Sequence, residues 1–273
     1  MERQIIAAAI IAAVFAIDTG IAAAQHEGHH PQLHVNPRWD ECAFQLDPSL
    51  TQEAWRQFTR EAGMVTYFRP LRDARAMGAG NVEVAIVQST IGIDDHDAAW
   101  NDTFVHPDST HWLFDGSGLP VPGVLGRVGV TDRLDVGAYF TKNPNSNYGF
   151  AGAQAQYQVL GQESVGVDAA VRGSMVTLFG PEDLSFQVYG LDIVASRQFR
   201  TFASWLTVAP YVSTSGYLAR SHEKTRAVAL DDERVLGAQT TVGVVAQVSV
   251  ARIAFEYNTA AVNSRSIKVA IGF

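Results

Sequence analysis

The sequence predicts an all-β protein: a closed antiparallel transmembrane β-barrel of about ten strands, preceded by a short N-terminal helix. Three observations carry this expectation. Segment after segment alternates apolar and polar residues with period two, which is strand spacing and not helical spacing. The connections between these segments alternate between long or polar and short. The closing stretch "KVAIGF" keeps the alternation to its final residue, where a soluble chain ordinarily frays.

Composition fits this class and excludes others. Hydrophobic residues make up 47% of the 273 and charged residues 18%, yet no segment after the first two dozen residues is long and apolar enough for a transmembrane helix. A single cysteine, Cys42, rules out an internal disulfide framework. The formal net charge of −8 and pI near 5.4 argue against nucleic acid as a partner. Nothing in the sequence calls for a cofactor.

In chain order, "MERQ" and "IIAAAIIAAVFA" supply a positive end and a short apolar core, and Ala22-Ala23-Ala24 the small residues of a cleavage site. Residues 1–24 therefore read as a signal peptide. Gln25, not cysteine, follows the expected cut, so lipid attachment is not indicated. Residues 25–79 read as a periplasmic segment. It begins with His26, His29, His30 and His34, imidazoles dense enough for Cu(II), Ni(II) or Zn(II) but equally at home in a solvated tail. In "DPSLTQEAWRQFTREAG", Asp47 is a candidate cap, Pro48 a first-turn residue and Gly63 a stop. Leu50, Ala54, Trp55 and Phe58 form one apolar stripe. This amphipathic helix is expected to plug the periplasmic mouth, lie on the inner leaflet or pack under the barrel.

Residues 80–273 form the barrel. Strands are expected near 80–92, 119–130, 133–142, 147–159, 163–177, 184–199, 203–220, 234–248, 250–259 and 264–273. In "LDVGAYFT", Leu134, Val136, Ala138 and Phe140 oppose Asp135, Gly137, Tyr139 and Thr141. "RIAFEYN" sets Ile253, Phe255 and Tyr257 against Arg252, Glu256 and Asn258. A long loop from about Asp94 to Gly118 precedes the tight "VTDRL", and "SHEKTRAVALDDER" precedes "VSV". Short turns on one side and longer loops on the other are the arrangement of a transmembrane barrel. With an even strand number, 94–118 and 221–233 fall outside the cell.

Three stretches resemble bacterial outer-membrane β-barrels over about residues 70 to 273. The last strand, with Ile267, Val269, Ile271 and Phe273 on one face, is similar to the signal read by the barrel-assembly machinery. "RVGVTDRLDVGAYF" resembles a hairpin common in such barrels, and "RDARAMGAGNVEVAI" the approach to their first strand. The resemblance implies outer-membrane lipid and the assembly machinery as partners, and no assigned activity.

The polar faces assign Glu83, Arg127, Asp135, Asp168, Arg172, Asp192, Arg252, Glu256 and Lys268 to the lumen, Asp192 lying where the alternation blurs. Arg127 is expected to sit diagonally opposite Asp135 on the inner face across the "VTDRL" turn, and Lys268 to reach Glu83 where the barrel closes. Arg172 and Arg252 share strand faces with Asp168 and Glu256. A barrel this narrow is filled by side chains, unlike a porin of about sixteen strands. These charges read either as packing that satisfies itself or as a narrow polar conduit.

The loop "IDDHDAAWNDTFVHPDSTHWLFDGSG" holds Asp94, Asp95, His96, Asp97, Asp102, His106, Asp108, His111 and Asp115, with Trp100 and Trp112. It reads as a polar loop contributing to an aromatic belt, as a site for divalent cations, or as the acid/base groups of a surface hydrolase. The expected role is structural, binding or limited passage of small solutes, and not enzymatic. A soluble periplasmic binding domain is the remaining alternative.

Overall fold

The computed structural model of the chain describes residues 43–94, 97–105, 118–142, 146–200, 205–225 and 228–273. Ten long strands dominate these: β1 (Val82–Ile91), β2 (Leu119–Gly129), β3 (Leu134–Lys142), β4 (Gly149–Leu160), β5 (Asp168–Phe179), β6 (Leu184–Ser196), β7 (Leu206–Glu223), β8 (Glu233–Val248), β9 (Ala251–Thr259) and β10 (Ser264–Gly272). Each pairs antiparallel with the next, and β10 pairs with β1 from Gly272 opposite Glu83 to Ser264 opposite Ile91. The sheet is a closed barrel with no free edge, the arrangement that satisfies every strand's backbone internally. A two-residue strand, Phe199–Arg200, extends the pairing along β7.

Nine strand expectations match to within a few residues. β5 begins later than expected because Gln162–Val165 winds into a short helix closed by Gly166 in the left-handed region (φ 81°). Only glycine adopts that conformation without strain. The connections sort by end. The β2–β3, β4–β5, β6–β7 and β8–β9 turns share one end; the β1–β2 loop and the β3–β4, β5–β6, β7–β8 and β9–β10 loops share the other. These are called the short-turn and long-loop ends below.

The helix α1 spans Gln52–Val65, with Thr51 as its cap: the Thr51 side chain accepts a hydrogen bond from the Ala54 amide. This differs from the expected Asp47 cap. Asp47 instead accepts from the amide and hydroxyl of Ser49 in a turn just before the helix. Gly63 does not stop the helix; it lets α1 lie against the wall, where a Cβ would sit 2.7 Å from the Tyr217 ring. The stripe of Leu50, Ala54, Trp55 and Phe58 is fully buried, but inside the barrel and at the long-loop end.

Candidate functional site: a lumen filled by the chain itself

Residues 43–80 thread the barrel from end to end. At the long-loop mouth, Ala43–Phe44 pairs with Phe104–Val105 of the first loop. The Phe44 amide donates to Asn147 and the Leu46 amide to Asp183. Gln52 and Arg56 bond Glu233 at 2.5 and 3.1 Å, and that hydrogen bond raises the Arg56 guanidinium above its ordinary value. Below them α1 forms an apolar stopper. Trp55 stacks on Phe58 at 5.5 Å, and Phe58 meets Trp100, Phe186 and Phe44 edge-on at 5.1, 6.1 and 5.9 Å. Trp100, from the four-residue helix Ala98–Asn101, donates its indole N–H to Glu61 at 2.6 Å.

Residues 66–80 then run down the lumen without regular structure. An extended segment with no strand beside it leaves its amides unpaired unless side chains accept them. The wall supplies those acceptors. Glu256 accepts from the Leu71 amide at 2.8 Å, the Ser196 hydroxyl from Ala74 at 3.0 Å, Gln158 from Ala76 at 3.0 Å, and both oxygens of Asp135 from Met77 at 3.0 and 3.1 Å. Arg127 donates to the Pro70 carbonyl. Leu71, at φ 44°, holds a conformation that costs a non-glycine residue about 1–3 kcal/mol. Its buried side chain and the Glu256 bond fix it there. At the short-turn end the segment leaves against β2: Gly80 donates to the Gly129 carbonyl and Gly129 to Asn81. A Cβ on Gly129 would fall 1.9 Å from the Gly78 carbonyl, so this crossing requires glycine. A small cavity lies beside Thr66–Arg69, Leu125 and Tyr139.

The outer surface has the opposite character. Val84, Ile86, Val124, Val171, Leu191, Ile193, Val212, Val242, Phe255 and Ile271 are all exposed, and Leu236 is 80% exposed. Aromatic residues bound this band: Tyr157, Phe199, Trp205 and Phe273 toward the short-turn end, Phe140, Phe179, Tyr189 and Tyr257 toward the long-loop end. An apolar surface encircling a closed sheet between two aromatic girdles needs lipid as its solvent. The protein is a transmembrane β-barrel of the outer-membrane type.

No family model matches the chain, and no curated protein does. Among solved structures it is similar to Neisserial surface protein A, at 14% identity over 70% of this chain and 94% of that one, with a TM-score of 0.29. It is similar to Ail, the attachment invasion locus protein of Yersinia pestis (13% identity, 71% of this chain and 99% of that chain, TM-score 0.27). A third is the β domain of the Bordetella autotransporter BrkA (11%, 71% and 99%, TM-score 0.38). The assignment rests on the closed sheet and its apolar exterior.

Within this transmembrane barrel, eight of the nine lumen candidates are fully buried, and Arg252 is partly so. Lys268 meets Glu83 at 2.8 Å, and Arg252 bonds the other Glu83 oxygen at 2.9 Å. Strand register sets Arg127 and Asp135 diagonally opposed on the inner face, but they do not bond each other. Each is taken by the threaded segment, and the cation beside Asp135 is Arg72, at 3.8 Å. Arg172 pairs with Asp192 at 2.8 Å and not with its strand-mate Asp168, which accepts from Gln158 and the Gln162 amide. Glu256 serves Leu71, Tyr211 and Asn258 and not Arg252.

Sequence reasoning missed Tyr67, Arg69, Arg72 and Asp73. Tyr67 donates to Asp192 at 2.7 Å, and Arg69 donates to the Met64 carbonyl at 2.7 Å. Their signal was arginines and aromatics without periodicity, just ahead of the first strand. In the long loop, Trp100 is a core residue of the mouth and not part of an outer belt, and Asp97 caps its helix while accepting from Gln57. The signal peptide, His26, His29, His30, His34, Cys42, Asp95, His96, His106, Asp108, His111, Trp112 and Asp115 lie outside the described residues. Among the described residues, no three His, Cys, Asp or Glu side chains gather as a metal site. His222 and Asp232 meet at 2.5 Å at the long-loop rim, both well exposed.

Proposed function

We propose that this is an outer-membrane anchor whose lumen is sealed by its own N-terminal segment, with a structural or binding role at the cell surface and no enzymatic activity. One observation carries the reading: residues 50–80 occupy the lumen from mouth to mouth, aromatic above and hydrogen-bonded to the wall below. An eight-stranded barrel is filled by its side chains alone. Two further strands make room here, and the threaded segment takes it. The earlier expectation had the wall charges fill the lumen by pairing among themselves. Glu83, Lys268 and Arg252 pair in this way, as do Arg172 and Asp192, while Arg127, Asp135 and Glu256 hold this segment.

The long loops face outward in this reading, so Ala43–Leu50 lies at the outer mouth of the barrel and not at the periplasmic one. Lipid surrounds the apolar band, and the assembly machinery reads the strand that ends at Phe273. Divalent cations remain a proposal for the carboxylates and imidazoles of the first long loop and, separately, for His26, His29, His30 and His34.

Planar-bilayer recordings test the seal. The wild-type protein is expected to conduct far below a porin, and a variant lacking residues 43–79 is expected to open stable channels. Porin-like conductance from the wild type would contradict the reading.

A further inference from the structure

The outward faces of the ten strands carry almost no charge, and the exceptions share one place and one sign. Lys142, Arg220, Arg234 and Arg265 all lie at the long-loop end of their strands, and no carboxylate shares those faces. Arg220 on β7 and Arg234 on β8 are direct cross-strand partners. Their neighbours Ala219, Ser221, Glu233 and Val235 point inward and are buried, which turns both arginines outward.

Like charges directly opposed on a sheet repel, and among the described residues neither arginine makes an ion pair. The Arg220 guanidinium lies 5.4 Å over the Tyr189 ring, which braces it against the wall. Asp232, a rim carboxylate two residues before Arg234, is taken by His222. Below the pair the surface turns apolar at once, with Leu218 opposite Leu236. From Val208 to Leu218 the strand climbs ten residues, about 25 Å along the barrel axis at the usual rise and tilt. That is the height of a barrel's apolar band, so the pair stands at its outer boundary, where lipid headgroups begin.

We infer that Arg220 and Arg234, with Tyr189, form a binding site for the phosphate of an outer-leaflet lipid headgroup, whose acyl chains lie along Leu218 and Leu236. Two planar guanidinium forks side by side suit a phosphate's oxygens, and the anion removes the repulsion between them. The inference rests on the barrel's residence in a membrane.

The test compares the wild type, the double variant Arg220→Gln/Arg234→Gln, and Arg133→Gln in a short turn as control. Each is refolded into vesicles of phosphatidylcholine alone or with phosphatidic acid, and lipid carried through extraction is counted by native mass spectrometry. Wild type and control should retain phosphatidic acid about tenfold over phosphatidylcholine, as one or two charge-assisted bonds would give. The double variant should lose that preference. Equal retention by wild type and double variant would overturn the site. So would displacement of the retained lipid by millimolar inorganic phosphate, which would indicate an unspecific anion patch. If the double variant does not refold, Arg234→Gln alone is read the same way. Failure of the wild type to enter phosphatidylcholine vesicles would instead defeat the membrane reading.

Discussion

Glu83 sits fully buried between Lys268 and Arg252, opposite Arg127 on β2. A charge in that position is tolerable only while its partners remain. Glu83→Gln strands two cations and should cost about 3–5 kcal/mol, read as a drop in the thermal unfolding midpoint of the refolded barrel. Lys268→Met added to it should recover part of the loss, since coupled neighbours are not additive. Arg127→Ala and Asp135→Ala should show much weaker coupling, because each bonds the threaded segment and not the other. Strong coupling between them would contradict the contacts described above. The alternation of β1 and β10 was enough to place Glu83 and Lys268 on one face at the seam. The Arg172–Asp192 pair was not visible, because it joins neighbouring strands whose register no local pattern reveals.

At the scale of elements, the strands were legible because lipid outside and polar groups inside impose a period of two over their whole length. Helix α1 was legible as an amphipathic stripe, but a stripe says what is buried and not against what. The stripe therefore did not reveal that the helix lies inside the barrel at its long-loop end. Residues 66–80 carry no period at all, since their amides are satisfied one by one by Glu256, Ser196, Gln158 and Asp135. Such a segment is invisible to any pattern and shows only in the pairing of distant residues. At Gly63 α1 lies close against the wall, where a Cβ would fall 2.7 Å from the Tyr217 ring and 3.0 Å from the Ala219 Cβ. Gly63→Val should push the helix off Tyr217 and Ala219, lowering stability by about 1–3 kcal/mol and raising residual conductance in planar bilayers. Unchanged stability and conductance would mean that α1 does not pack there.

The whole molecule closes where its last residue meets its first strand. The Phe273 amide donates to the Val82 carbonyl at 2.9 Å, and its own carbonyl accepts from Val82 at 2.7 Å, while the ring is 71% exposed in the short-turn girdle. Deleting Phe273 removes these two seam bonds, about 1 kcal/mol each, a loss the closed sheet should survive. If the strand's end is also the assembly address, outer-membrane yield should fall sharply while refolding in detergent persists. Val269→Lys, which puts a charge on the lipid face at about 2–4 kcal/mol, should impair both. Normal membrane levels of the deletion, measured by fractionation, would remove the assembly role. The central claim, a chain that enters at the long-loop mouth and leaves at the short-turn end, is tested most directly by thiol labelling of intact cells with a membrane-impermeant reagent. Cys42 is first replaced by serine, and Ser49→Cys is compared with Ser164→Cys, both sites being exposed but at opposite ends. Labelling at 49 and not at 164 is the predicted result; labelling at 164 with 49 protected would contradict it.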